Sequence, residues 1–214
     1  MIPANCCEVT DRAFSENAAR AEIRNYRRHG PARQTCELLR AVRSFGLANA
    51  TLLDIGGGVG TIHHELLQDV ARTALHVDAS SAYLKEAKTE ATRRGHADRV
   101  TFVHADFTKV AAELPQADIV TLDRVVCCYP DFRTLLEAAA SKSRRLLALS
   151  YPRETWYMRL ALGVVNAFQR LRRDPFRTFV HPVAEMRDTM VRMDLHPVTI
   201  RRLLVWEVAI YARS

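Results

Sequence analysis

The sequence lacks the patterns of several common protein classes. Its five cysteines include no Cys-x-x-Cys spacing, which argues against a disulfide framework and against a zinc site. It has no apolar run of the roughly 18 residues that a membrane-spanning helix requires. The first residues, MIPANCCEVTDRAF, show no basic stretch followed by an apolar one, so no signal peptide is expected. We therefore expect a cytoplasmic location and no metal.

The composition is that of one globular domain. The chain has 214 residues, of which 48% are hydrophobic and 26% charged, enough for one full core but cramped for two. Residues 1–12 are expected to be a loose lead within an N-terminal helical arm that covers residues 1–46. Two helices are predicted in this arm, one over 14–28 with Ser15 as its cap and one over 34–45.

The net charge of +7 comes largely from two arginine-rich stretches, residues 20–43 and 142–202. Such a balance occurs in proteins that bind nucleic acid or acidic membranes. No basic stripe with interleaved aromatic residues is present, however, so a solvated arginine-rich face is the favoured interpretation.

The most informative stretch is TLLDIGGGVGT, residues 51–61. Its first five residues predict a strand buried on both faces, and the helical spacing over 61–70 predicts a helix after the glycines. A glycine turn between a strand and a helix presents backbone N–H groups to a ligand without a Cβ in the way.

The spacing of the glycines limits which classes of ligand the turn is expected to bind. A dinucleotide fingerprint is not matched, because the pattern is Asp-x-Gly-x-Gly-x-Gly, and no Gly-Lys-Ser or Gly-Lys-Thr follows to form a Walker A loop. Asp54, ahead of the first glycine, suits a ligand that carries positive charge. The stretch resembles that of the class I S-adenosylmethionine-dependent methyltransferases. A structural glycine turn in another α/β domain is the alternative.

This resemblance implies an α/β fold with helices on both faces of a Rossmann-like seven-stranded sheet. The strand order in that family is 3-2-1-4-5-7-6. The residues agree with it: strands are predicted over 73–78, 100–104, 117–123 and 144–150, and two more over 198–203 and 205–212. The last two are so close in sequence that they must form a hairpin, so the final strand is expected to run antiparallel to its neighbour.

The resemblance also implies the cofactor, S-adenosyl-L-methionine, which leaves as S-adenosyl-L-homocysteine, and the residues that hold it. Asp78 ends the second strand, where a carboxylate can accept both ribose hydroxyls, and Asp106 with Phe107 would meet the adenine. The full expected set is Asp54, Gly56, Gly58, Gly60, Asp78, Ala79, Asp106, Phe107 and Asp123.

Methyl transfer from a sulfonium needs alignment more than acid–base chemistry, so few catalytic side chains are expected. Tyr26, Tyr129 and His181 are the candidates for a base. Tyr26 could instead be an aromatic anchor of the arm. Cys127 and Cys128, after the fourth strand, are interpreted as small buried hydrophobic residues rather than redox groups.

A second, weaker similarity is to the magnesium-protoporphyrin O-methyltransferases. It rests on Tyr129-Pro130 after the fourth strand, on Arg24-Asn25-Tyr26 in the arm, and on Pro152-Arg153 with residues 182–185. Those enzymes usually carry histidine before the Tyr-Pro pair, where this chain has Cys128. The acceptor is therefore expected to be an apolar small molecule with an anionic group, methylated on oxygen, rather than a porphyrin specifically.

Residues 154–181 are expected to be a helical insertion that forms a lid over this acceptor, with Trp156, Leu160, Val164, Ala167 and Leu171 on one stripe. Core cover, a dimer face and a membrane-surface contact are the alternatives. For the whole chain, an RNA methyltransferase and a catalytically silent binding protein with the same fold remain alternative functions, although a nucleic-acid partner is not expected.

Overall fold

A computed structural model describes residues 14–172, 174 and 176–213. The loose lead expected over residues 1–12 lies outside the described residues, as do Arg173, Pro175 and Ser214. Two helices open the described chain, α1 (Glu16–His29) and α2 (Arg33–Arg43). Ser15 caps α1 as predicted, its Oγ accepting a hydrogen bond from the backbone N–H of Ala18.

One seven-stranded sheet forms the centre of the molecule, with strand order β3-β2-β1-β4-β5-β7-β6, which confirms the predicted order. β7 runs antiparallel to both β5 and β6, and the pairs among the first five strands are parallel. The strands are β1 (Ala50–Ile55), β2 (Ala71–Asp78), β3 (Val100–His104), β4 (Ala117–Asp123), β5 (Ser143–Pro152), β6 (Leu195–Arg202) and β7 (Trp206–Arg213).

Helices between the strands cover both faces of the sheet. They are α3 (Thr61–Leu66), α4 (Ser81–Arg93), α5 (Phe107–Val110), α6 (Phe132–Lys142), α7 (Trp156–Leu171) and α8 (Val183–Arg192). Short 3₁₀ turns over 97–99, 111–113 and 126–128 complete the connections. Among the described residues, no helix combines the length and apolarity needed to cross a bilayer.

The core has two layers because successive residues of a strand point to opposite faces of the sheet. In β1, Leu53 belongs to one buried cluster and Leu52 to the other, and Val120 and Ile119 divide in the same way in β4. This double burial explains why these strands have continuous apolar sequences rather than alternating ones.

Two element boundaries differ from the sequence prediction for identifiable reasons. The helix predicted over 61–70 ends at Leu66, because the chain must turn back so that Ala71 can pair with Ala50 in β1. Leu67 and Val70 are buried in that turn, which is why the helical spacing continued past its end. β6 starts at Leu195 and includes Pro197, which is tolerated because β6 is an edge strand with an irregularity at that point.

Candidate active site

The glycine turn after β1 adopts backbone conformations that glycine reaches at little cost. Gly56, Gly58 and Gly60 have φ of 59°, 58° and 86°. The N–H of Gly56 donates to the carbonyl of Val77 at 2.7 Å, which ties the turn to the end of β2. A Cβ on Gly56 would lie 2.7 Å from Val125 Cγ2, so the loop also needs glycine for close packing.

A cavity of about 390 Å³ opens at the carboxyl ends of the parallel strands. This is where ligands bind in open α/β sheets, and its volume is in the range of ligand sites. It brings together most of the expected cofactor residues: Gly56, Gly58, Asp78, Ala79, Asp106, Phe107 and Asp123. Asp54 borders a smaller adjoining cavity with Gly56, Gly57 and Gly58, whereas Gly60 borders neither.

Asp78 joins the glycine turn to the start of α4. Its Oδ2 accepts a hydrogen bond from the N–H of Gly58 at 2.9 Å, and its Oδ1 accepts one from the N–H of Ser80 at 2.8 Å. The carboxylate is thereby held in one orientation at the wall of the cavity, next to Ala79.

Asp106, two residues after the end of β3, is held in a similar way. It caps α5, with Oδ1 accepting hydrogen bonds from the N–H of Thr108 at 3.1 Å and from its Oγ1 at 2.9 Å. Thr108 Oγ1 also lies 2.6 Å from Tyr129 Oη. Asp78 and Asp106 therefore face one common cavity from the ends of β2 and β3.

Asp123, at the end of β4, accepts hydrogen bonds on both of its carboxylate oxygens. Its Oδ2 accepts a hydrogen bond from Thr35 Oγ1 of α2 at 2.6 Å, and Ser150 Oγ donates to its Oδ1. Burial raises the pKa of this carboxyl above its ordinary value. The bond from Thr35 shows that the N-terminal helices are anchored directly to the site.

Asp54 lies beneath the glycine turn, fully buried among histidines that the sequence reasoning did not single out. Its Oδ1 accepts a hydrogen bond from Thr121 Oγ1 at 2.8 Å, and its Oδ2 is 3.2 Å from His63 Nδ1. His63 Nδ1 is also 3.2 Å from His76 Nδ1. Burial raises the pKa of Asp54 to about 6 and lowers that of His63 well below its ordinary value.

Asp54, His63 and His76 each place one donor atom within 4.8 Å of the others, so among the described residues they could hold a metal ion. Hydrogen-bond distances already link their donor atoms, so the cluster is also connected without one. The signal that could have pointed to the cluster is a pair of histidines, His63-His64, on the first turn after the glycines.

The three candidate bases occupy different places. Tyr26 lines neither cavity; its Oη donates to Glu65 Oε1 at 2.7 Å and its ring packs parallel to that of His64, which fits the arm-anchoring alternative. His181 also lies outside both linings, with Nε2 3.1 Å and 3.0 Å from the carbonyls of Val126 and Tyr129. Tyr129 alone of the three lines the larger cavity.

The two adjacent cysteines also differ. Cys127 is buried, as expected, but Cys128 is only half-buried, so that expectation is wrong for Cys128. Both line the larger cavity, with their sulfur atoms 3.8 Å apart. The 3₁₀ turn over 126–128 brings both side chains towards the cavity, an arrangement that strand alternation would not produce.

The structure adds cavity residues from elements far apart in sequence. Glu22 of α1 bridges two of them: Tyr83 Oη donates to its Oε2 at 3.0 Å and the Arg124 guanidinium donates to its Oε1 at 2.8 Å. The sequence patterns of the individual elements did not predict these contacts. The lining residues that the sequence analysis did not single out include Phe14, Glu22, Tyr83, Leu135, Phe176, Thr178 and Trp206.

The insertion contributes to the cavity in a different way from that predicted. None of the α7 residues is buried, so it does not cover the core, and its predicted stripe lies on the exposed side. Phe176 and Thr178, in the segment that follows α7, line the cavity instead. Asn166 holds this segment against the helix through two hydrogen bonds with the backbone of Thr178.

Residues 52–148 match a family model described as a methyltransferase domain. The span contains the glycine turn, Asp78, Asp106 and Asp123. Residues 52–148 thus form a methyltransferase domain, and the fold of the chain is that of the class I S-adenosylmethionine-dependent methyltransferases. No curated protein sequence matches it significantly.

The fold is shared with solved structures of low sequence identity. The chain is similar to magnesium protoporphyrin IX methyltransferase from Synechocystis PCC 6803 with bound S-adenosylhomocysteine, at 20% identity and a TM-score of 0.76 over 97% of this chain and 99% of that one. An O-methyltransferase family protein from Burkholderia thailandensis matches at 16% identity and a TM-score of 0.72, over 97% of this chain and 62% of that one.

The shape of the site suits S-adenosylmethionine, the cofactor that the sequence analysis predicts. Cβ-free backbone at Gly56 and Gly58 leaves room beside two fixed carboxylates, and the cavity is large enough for a nucleoside.

Proposed function

We propose that this methyltransferase transfers a methyl group to an oxygen atom of an apolar small molecule that carries an anionic group. The observation that carries the proposal is the composition of the larger cavity. Its lining combines the carboxylates of Asp78 and Asp106 with the apolar side chains of Leu135, Phe176 and Trp206. Carboxylates for the cofactor and apolar side chains for the acceptor suit such a reaction.

In this proposal the cofactor contacts follow the sequence-predicted set. Asp78 accepts hydrogen bonds from the ribose hydroxyls, Asp106 accepts one from the adenine amino group, and Phe107 packs near the ring. Gly56 and Gly58 bring backbone close to the methionine part, which would extend towards the smaller cavity bordered by Asp54.

Bound S-adenosylmethionine supplies an electrophilic methyl on a sulfonium, with its own leaving group. The chain's own residues have to orient the acceptor and exclude water. Phe14 and Phe176, whose rings meet edge to face at 5.2 Å, both line the cavity, so the residue stretch just before α1 and the segment after α7 together close one side of it.

Arg124 is the reason for expecting an anionic group on the acceptor. It lines both cavities, and it shares Glu22 with Tyr83. A carboxylate acceptor would itself be a competent nucleophile, so no general base would be required. Tyr129, beside Thr108 and Asp106, then has an orienting role.

Calorimetric titration with S-adenosylhomocysteine tests the cofactor contacts. We expect the Asp78→Ala variant to bind at least about tenfold more weakly, because two charge-assisted hydrogen bonds to the ribose are lost. Asp131→Ala is a matched control, since Asp131 also accepts a backbone N–H, from Thr134, but lines neither cavity. Equal affinity of the Asp78 variant and the wild type would contradict the assignment.

Transfer of radiolabelled methyl to a panel of apolar carboxylic acids, phenols and amines tests the acceptor. A base-labile product identifies a methyl ester, a stable one an ether or an amine. We expect Trp206→Ala to raise KM for the acceptor without changing the affinity for S-adenosylhomocysteine. Labelling of RNA but of no small molecule would favour the RNA alternative, and cofactor binding without any transfer would favour the silent one.

A further inference from the structure

The outer face of α7 is the largest exposed apolar feature of the described chain. Trp156 is 77% exposed, Leu160 62%, Val164 63% and Leu171 81%, and Phe168 is also exposed. These residues recur at helical spacing, so their side chains form one continuous stripe along the helix. Apolar patches of this kind mark an interaction surface.

The charges around the stripe indicate what it meets. Residues 155–173 contain four arginines and no acidic residue. Arg159 is exposed and pairs with Glu154 at the edge of the segment. At the other end of the helix, the Arg172 guanidinium lies 4.3 Å from the centre of the Phe168 ring. Apolar and cationic groups are therefore interleaved on the exposed side.

A second exposed apolar residue extends the stripe. Leu204, in the turn between β6 and β7, is 78% exposed, and its carbonyl accepts a hydrogen bond from Tyr157 Oη at 3.0 Å. Arg201 and Arg202 precede it. The turn thus adds a further apolar group with adjacent cations next to the start of α7.

We propose that α7 and Leu204 bind to the surface of an anionic membrane, with the stripe in the interface and the arginines at the lipid headgroups. A helix with an apolar face, a cationic border and no membrane-spanning length is of the kind that lies in the plane of a bilayer. A protein partner or a second copy would account for the apolar stripe, but neither specifically requires the excess of arginine beside it, which remains although Arg159 pairs with Glu154 and Arg202 with Glu207.

The inner face of α7 shows that the helix is fixed to the protein in this exposed position. Asn166 bonds to Thr178, and Tyr157 bonds to Leu204, so the half-buried residues face the domain. Residues 176 and 178 then line the cavity. Membrane binding through α7 therefore places this wall of the cavity next to the bilayer. The membrane contact itself does not depend on which acceptor the enzyme uses.

Vesicle sedimentation tests the proposal with the full chain. We expect binding to vesicles of phosphatidylglycerol and phosphatidylcholine, weaker binding to phosphatidylcholine alone, and a decrease with salt. Leu160→Glu combined with Val164→Glu should reduce partitioning by about tenfold or more, because each glutamate removes an apolar group from the interface and adds a like charge to the lipid. Both positions are exposed, so folding is expected to be unchanged, which circular dichroism verifies.

Val198→Glu is the matched control, since Val198 is also an exposed valine but lies on β6. It should bind vesicles as the wild type does. Absence of binding to anionic vesicles overturns the proposal. If light scattering also shows a dimer that Leu160→Glu dissociates, the stripe is an interface between copies of the chain. The proposal is also overturned if the variant with Leu160→Glu and Val164→Glu binds anionic vesicles as strongly as the wild type does. The arginines alone would then be sufficient for binding.

Discussion

The region beneath the glycine turn buries polar side chains and the outer face of α7 exposes apolar ones, which is the opposite of what is usual in a folded protein. Beneath the turn, Asp54, His63 and His76 are fully buried polar groups. On α7, Trp156 and Leu171 are large apolar groups that lie in solvent. The buried polar groups are tightly constrained by packing and hydrogen bonds, whereas the exposed apolar groups contribute little to folding. We therefore expect tolerance to substitution to follow the contacts of a side chain rather than its polarity.

The two regions should differ most in how a glycine-to-alanine substitution changes the free energy of unfolding. In Gly60→Ala the new Cβ would lie 2.4 Å from His63 Cε1 at a φ of 86°, and the His63 ring is held by Asp54 and His76. We expect a loss of roughly 2–5 kcal/mol in the free energy of unfolding, measured by urea denaturation.

Gly163→Ala is the counterpart on α7, where nothing lies within 4 Å of the added Cβ. Because alanine is the better helix former, this variant should gain about 0.5–1 kcal/mol. If Gly60→Ala were as stable as the wild type, the packing described beneath the turn would be wrong.

A smaller change in the free energy of unfolding is expected on substitution of Glu90, a buried carboxylate of α4 beside the region beneath the turn. Its oxygens accept hydrogen bonds from Arg27, Arg93 and Arg94, which hold the pKa of this carboxyl far below its ordinary value despite its burial. Glu90→Gln should cost about 3 kcal/mol at neutral pH, because three arginines lose their shared partner. Glu86→Gln, on the same helix, is the control.

The pH dependence follows from the same pKa. Since the folded-state pKa of Glu90 is lowered, its contribution is fully present above the unfolded-state pKa of about 4.5 and is lost as the pH falls below that value. The wild type should therefore lose stability more steeply than Glu90→Gln on acidification below about pH 4.5. Parallel pH profiles of the two proteins, from thermal unfolding, would contradict this.

The smallest change in the free energy of unfolding is expected for substitutions in the exposed stripe of α7. Leu160→Ala should change the free energy of unfolding by less than about 0.5 kcal/mol, because the side chain is already in solvent. Leu66→Ala, at a fully buried leucine of α3, should cost roughly 2–5 kcal/mol. A cost for Leu160→Ala near that of Leu66→Ala would show that α7 is covered in solution, and analytical ultracentrifugation would then identify a dimer.

Local patterns predicted the strands of the sheet because double burial leaves a clear apolar signal. The predicted bounds of β3 and β4 agree with the structure, that of β2 is short by two residues at its start, and that of β5 is short by one residue at its start and two at its end. The end of α3 could not be predicted in this way. Its apolar spacing continues through Val70, but the pairing of Ala71 with Ala50 ends the helix earlier.

The cavity was predictable where it is built from strand ends and not where it is built from other elements. Asp78, Asp106 and Asp123 each follow an apolar run and do meet at one edge of the sheet. Glu22 and Trp206 reach the same cavity from an N-terminal helix and the last strand, a contact that depends on how distant elements pack.

The α/β class, the order of elements and the glycine turn with its downstream carboxylates follow from the amino-acid sequence alone, because these depend on hydrophobic periodicity and on backbone freedom at glycine. Which faces are covered depends instead on how the elements pack in three dimensions. The stripe of α7 could have lain against the cavity or in solvent, since helical spacing shows that a face is apolar but not what lies against it. The polar cluster beneath the turn likewise needed β1, β2 and α3 to converge before its histidines could meet Asp54.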